Sequence, residues 1–126
     1  MTTFKNTKTV SSFSVDNLEK AKDFYAKKLG LDVSKEKEGL SLHVAGGNQI
    51  FIYPKTNHVP ATFTILNFLV DNVEKRVDDL TKQGVKFETY EEGAIKTDDK
   101  GIFRGDHTIA WFKDPAGNFL SVLEEK

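Results

Sequence analysis

The residues of this chain able to do chemistry are few and widely spaced. It has three histidines, His43, His58 and His107, and no cysteine, which removes thiolate chemistry and disulfides from consideration. The histidines show no H-x-x-x-H spacing and no carboxylate committed to them, so a hydrogen-bonding or pH-sensitive role, or none, suits them better than a metal pair. His58, in Thr56-Asn57-His58-Val59-Pro60, reads as an exposed connector residue. His43 shares parity with Ser41, and His107 with Ile109 and Trp111. Ser12 and Ser14 lie in Val10-Ser11-Ser12-Phe13-Ser14-Val15 without an adjacent His or Lys, so neither has local support as a nucleophile. They are either tolerated packing near a sheet edge or the polar floor of a ligand site. Asn67 interrupts an apolar run, where an amide must find a partner or water. Arg104 and Asp106 form either a surface pair worth under ~1 kcal/mol or, through the arginine, a clamp for an anion. Trp111, Phe51, Tyr53 and Phe63 could wall a pocket for a planar or apolar ligand, or belong to the core.

A repeated phrase organises the elements that must position these groups. Val15-Asp16-Asn17-Leu18-Glu19-Lys20 returns 55 residues later as Val70-Asp71-Asn72-Val73-Glu74-Lys75, the mark of one supersecondary unit used twice. Each copy follows an alternating run, residues 10–15 and 63–70, which predicts a strand. Each copy then opens an amphipathic stretch. Asp16 with Glu19, and Asp71 with Glu74, predict capping boxes. Leu18, Ala21, Phe24, Tyr25 and Leu29 form the first inward stripe, and Val73, Val77 and Leu80 the second. Gly30 and Gly84 are the expected terminators. Strands are predicted over 31–35, 39–44 and 49–53 with a Gly46-Gly47-Asn48 turn, then over 85–90, 108–113 and 118–123. The last hairpin turns at Asp114-Pro115-Ala116-Gly117-Asn118, where Gly117 and Asn118 tolerate positive φ. Residues 91–106 read as a long polar loop, a place for function or mobility. Pro54 to Pro60 marks a boundary between modules. Alternation then sets Val10, Ser12 and Ser14, and in the second copy Ile65 and Asn67, on the strand faces opposite the helices.

With 126 residues, the chain is sized for one domain, with 38% hydrophobic residues and 10 Phe to build its core. Eighteen basic and nineteen acidic residues are interspersed, leaving a net charge of −1. No basic field for nucleic acid and no polybasic membrane patch results. Apolar runs are strand-sized, far below the ~20 residues of a membrane span, and Met1 to Lys8 carries no hydrophobic signal segment. These features predict a cytoplasmic protein.

The doubled βαβββ order resembles the vicinal oxygen chelate superfamily of glyoxalases, bleomycin-resistance proteins and extradiol dioxygenases. The resemblance rests on Val15 to Ala21, on Phe24-Tyr25 through Leu29-Gly30-Leu31, and on Phe112-Lys113-Asp114-Pro115-Ala116-Gly117-Asn118. It implies an α+β fold in one domain spanning 1–126, with modules at about 8–54 and 62–124. Their mixed sheets would curve into a cup with the helices outside and the ligand inside. Metal-dependent members place His, Gln or Glu at four strand positions. By alignment to the repeated phrases these fall on Val10, Phe51, Ile65 and Ser121, none a ligand of the kind the family uses. The resemblance therefore implies a cofactor-free protein that binds a small organic molecule in an apolar cup and pairs as a homodimer. The alternative is a lyase, isomerase or dioxygenase with an unconventional metal site through His43, His107 or a carboxylate. A third reading is a protein-interaction domain whose cup is filled by side chains. The ligand-contacting set expected is Ser12, Ser14, His43, Phe51, Ile65, Asn67, Arg104, His107, Trp111 and Ser121.

Overall fold

The structure is a computed structural model that describes residues 4–47 and 49–124. Two compact units follow one another, Met1–His58 and Val59–Lys126. The first contains β1 (Val10–Val15), α1 (Leu18–Asp23) continued by a π-helical turn (Phe24–Lys28), β2 (Asp32–Glu36), β3 (Gly39–His43) and β4 (Gln49–Pro54). The second contains β5 (Thr64–Val70), α2 (Val73–Lys82), β6 (Ile102–Arg104), β7 (Thr108–Lys113) and β8 (Phe119–Glu124). Both sheets have four strands, ordered β1-β4-β3-β2 and β5-β8-β7-β6. The β1–β4 and β5–β8 pairs are parallel and the others antiparallel. Two mixed sheets, each with its helix, make an α+β fold.

The repeated phrase acts as a strand-to-helix corner, but not with the expected caps. Asn17 (φ −140°, ψ 109°) and Asn72 (φ −146°, ψ 102°) are the extended residues ahead of the helices. Their side chains accept the backbone N–H groups of Lys20 and Lys75, each at 3.0 Å. Asp16 and Asp71 stand one residue too early for this bond, so Glu19 and Glu74 occupy the second helical position and close no capping box. There their charge still favours the helix N-terminus. The terminators are as expected. Gly30 (φ 73°) and Gly84 (φ 93°) are left-handed, and Leu31 and Val85 donate back to Tyr25 and Leu80.

Side chains alternate across a strand, and one face of each sheet lies under its helix. In the first unit Val15, Leu40, Leu42, Ile50 and Ile52 are buried with Ala21, Phe24 and Tyr25, and the Phe13 ring lies 6.0 Å from that of Tyr25. In the second, Ile102, Ala110, Phe112, Leu120 and Val122 are buried with Val73, Val77 and Leu80.

Residues 85–90 do not form the predicted strand. Only Phe87 bridges Phe112, and the strand that completes the second sheet is β6, inside the segment expected to be loop. Asp98 makes this possible, since its carboxylate accepts the N–H groups of Lys100 and Ile102 at 2.9 Å and launches β6. The Asp114–Asn118 turn is built as expected around Gly117 (φ 88°), but Asn118 does not take positive φ. It is 2% exposed and cross-links the turn instead. Gly46 and Gly47 have positive φ; Asn48 lies outside the described residues.

Candidate functional site

Strand register places Ser12, Ser14 and Phe51 on the helix-free face of the first sheet, and Asn67, Trp111 and Ser121 on that of the second. In the first unit Ser12 lies opposite Phe51 and Ser14 opposite Tyr53, with Ser41 on the far side of Phe51. The Phe51 and Tyr53 rings lie nearly parallel, 6.5 Å apart and inclined by 16°. This face is therefore an aromatic strip edged by hydroxyls. His43 ends β3 and is exposed, its Nε2 2.6 Å from Ser34 Oγ. His58, expected in solvent, is half-buried, with its Nδ1 2.7 Å from Ser14 Oγ. Their separation of 44 positions hid this pair from sequence reasoning. The connector's return past the end of β4, where Lys55 donates to Val15 and His58 to Lys55, creates it.

In the second unit Asn67, Ser121 and Trp111 stand side by side on β5, β8 and β7. Asn67 is exposed and Ser121 fully buried. The Ser121 hydroxyl donates to Asn67 Oδ1 at 2.5 Å. Trp111 is half-buried, with Tyr90 edge-on at 6.0 Å and Phe103 tilted at 6.5 Å. Beside it opens a cavity of about 580 Å³ lined by Thr62, Phe63, Thr64, Tyr90, Glu92, Ala94, Ile95, Trp111 and Phe119. That is a usual size for a small-molecule site, as is an apolar wall with few polar groups. Phe63 is 69% and Ile95 42% exposed. Partial burial, with Glu88 a smaller cause, raises the Tyr90 phenol above its ordinary value, so it stays neutral near pH 7. The segment 85–97, read from sequence as a strand followed by loop, thus supplies Tyr90, Glu92, Ala94 and Ile95. Its aromatic and apolar members amid polar residues were the only available signal.

Three expected residues are placed otherwise. Ile65 is half-buried at a register irregularity between Thr64 and Leu66, with no cross-strand partner of its own. Arg104 reaches the helix side of the sheet, where Asp98 and Glu74 engage its guanidinium. Lys100 joins Glu74 and Asp78 beside it. As an anion clamp Arg104 would have to break both contacts, so the surface-pair reading replaces it, with different partners from Asp106. His107 is exposed in the turn between β6 and β7, where its carbonyl accepts the Gly105 N–H. It is therefore off the strand face that its parity implied.

The four strand positions do not suit a divalent cation. Val10, Phe51 and Ile65 carry only carbon, and the Ser121 hydroxyl is buried and donates to Asn67. Among the described residues no three His, Asp or Glu side chains gather into a metal-binding group. No described helix is long and apolar enough to cross a membrane.

Comparison with known proteins places this geometry. The family model of the glyoxalase/bleomycin resistance protein/dioxygenase superfamily matches residues 9–122. No curated protein matches the chain in sequence. Among solved structures, a glyoxalase family protein from Enterococcus faecalis is 24% identical, with 96% of this chain and 98% of that one covered and a TM-score of 0.67. TnmS3, an antibiotic binding protein from Streptomyces sp. CB03234, is 22% identical over 96% and 98%, with a TM-score of 0.66. The fosfomycin resistance protein FosX from Listeria monocytogenes is 13% identical over 94% and 92%, with a TM-score of 0.69. At these identities the likeness is one of fold.

Proposed function

The chain belongs to the glyoxalase/bleomycin resistance protein/dioxygenase superfamily, and on that premise we propose that it binds a small organic molecule without a metal ion. The observation that carries this reading is the aromatic-walled cavity beside Trp111 on the helix-free face of the second sheet. Such a wall favours a neutral or weakly anionic planar molecule over a nucleotide, since no unengaged cation lines it. Asn67, at the edge of the same face, orients the ligand. Sequestration needs only shape and a few polar contacts, and proteins of this fold include an antibiotic binding protein and a fosfomycin resistance protein. The hydroxyl-edged strip of Ser12, Ser14, Phe51 and Tyr53 is a separate candidate surface within the first unit. In this reading the protein is cytoplasmic, pairs as a homodimer and takes neither nucleic acid nor membrane as a partner.

Two measurements test the proposal. A thermal-shift screen should find stabilisation by planar apolar compounds and none by nucleotides; stabilisation by nucleotides alone would refute the reading. Elemental analysis should find no stoichiometric divalent ion, and a chelator should leave Tm unchanged. About one Zn, Fe, Mn or Ni per chain would refute the metal-free part.

A further inference from the structure

The Asn67–Ser121 pair has a polarity, and it sets what the site can recognise. Ser121 is fully buried in the middle strand of three, so its hydroxyl has to find an acceptor. That acceptor is Asn67 Oδ1, and the bond fixes the amide plane. The carbonyl end is then occupied, and the exposed end is the Nδ2 amino group, which has no protein partner among the described residues. An amide held this way turns its two N–H donors outward. Ser121 is also the small residue between two large ones, with Asn67 one strand to one side and Trp111 one strand to the other. Neighbouring strands lie ~4.8 Å apart, so Asn67 stands two strands, ~10 Å, from Trp111 and outside the lining of the cavity. A ligand held against Trp111 must extend a substituent over that span to meet the Asn67 amino group.

We infer that the site selects planar aromatic molecules bearing a hydrogen-bond acceptor, such as a ring carbonyl or aryl ketone, with Asn67 as the donor and Ser121 as the residue that positions it. This rests on the binding reading above and adds the ligand's chemical class. Discrimination follows from the pairing rule. A ligand lacking the acceptor leaves the amino group to displaced or trapped water, and one hydrogen bond is worth ~0.5–1.5 kcal/mol, or about 3- to 10-fold in Kd.

The chain's one tryptophan is Trp111, so its emission reports this site alone. Titrating the full chain with 2-acetonaphthone and with 2-ethylnaphthalene compares an acceptor with its near-isostere. The ketone should bind about 3- to 10-fold more tightly. Asn67→Leu should bring the ratio of the two constants to about one. Asn67→Asp keeps the acceptor for Ser121 but turns an oxygen toward the ligand, so it should push the ratio below one. Ser121→Ala frees the amide to rotate and should lower the ratio. Circular dichroism identifies any variant that fails to fold, and the wild-type ratio stands without the variants. Equal binding of the two ligands by the wild type overturns the inference and leaves the binding reading intact. A ketone preference that survives both Asn67 variants overturns the role of Asn67, and one that survives Ser121→Ala overturns that of Ser121. If neither ligand alters the emission or Tm, the binding reading falls and the inference with it.

Discussion

Asn118→Ala tests how the last hairpin is held, and its cost can be worked from the contacts. Asn118 is 2% and Asp114 4% exposed. The Asn118 amino group donates to Asp114 Oδ2 at 3.1 Å, and its carbonyl accepts the Ala61 N–H at 3.2 Å. Asp114 Oδ1 meanwhile accepts the backbone N–H groups of Ala116 and Asn118. The substitution takes one partner from a buried carboxylate and one from a half-buried backbone N–H. Each loss costs ~1–3 kcal/mol, so the sum should be ~2–5 kcal/mol after partial relaxation. With a urea slope of ~1–3 kcal/mol/M, the midpoint should drop by roughly 1–3 M. Asn118→Asp provides the control. It keeps an oxygen for Ala61 but sets a second carboxylate against the first, so its deficit should grow as pH rises through the carboxylate range. An Asn118→Ala loss below ~0.5 kcal/mol, the range of inert surface changes, would refute the claim that this side chain ties the turn to Ala61.

Other outcomes follow from the same contacts. Phe24 opens the π-helical turn and is 7% exposed, so Phe24→Ala should cost ~3–5 kcal/mol. Lys27→Ala, on a side chain 78% exposed, should stay within ~0.5 kcal/mol in the same denaturation series. The Asp98 carboxyl is held below its ordinary value; partial burial pushes it up, but the Ile102 N–H, the Arg104 guanidinium and the Lys100 N–H outweigh that. A lowered native pKa contributes stability above the unfolded value of ~3.9 that is lost as pH falls through the native value. Asp98→Asn should therefore flatten the acid limb of a Tm-against-pH profile below about pH 4, and an unchanged limb would count against this coupling. Light scattering at tens of micromolar should give twice the 14.2 kDa chain mass, two-fold pairs being the commonest oligomers; the single-chain mass would refute the homodimer.

The sequence by itself determined the elements and their faces. Alternation in residues 10–15 was enough to turn Phe13 and Val15 toward the helix and Ser12 and Ser14 away from it, because successive strand side chains point to opposite sides. The inward stripes and the closing glycines were legible for the same local reason, since helical period and left-handed φ are properties of a few adjacent residues. Tertiary structure decided which segments meet. The π-helical turn at Phe24–Lys28 lets two consecutive aromatics, Phe24 and Tyr25, both reach the core, and no residue pattern announced it. Three residues, Ile102–Arg104, are too few to show an alternation, so β6 exists only through its pairing with β7. Asn67 meets Ser121 across 54 residues, and Arg104 meets Glu74 across 30. Such bonds depend on register and on the path of intervening chain, neither of which a local pattern carries. Parity could place Asn67 on the open face, but only the buried Ser121 hydroxyl decided which end of its amide looks outward.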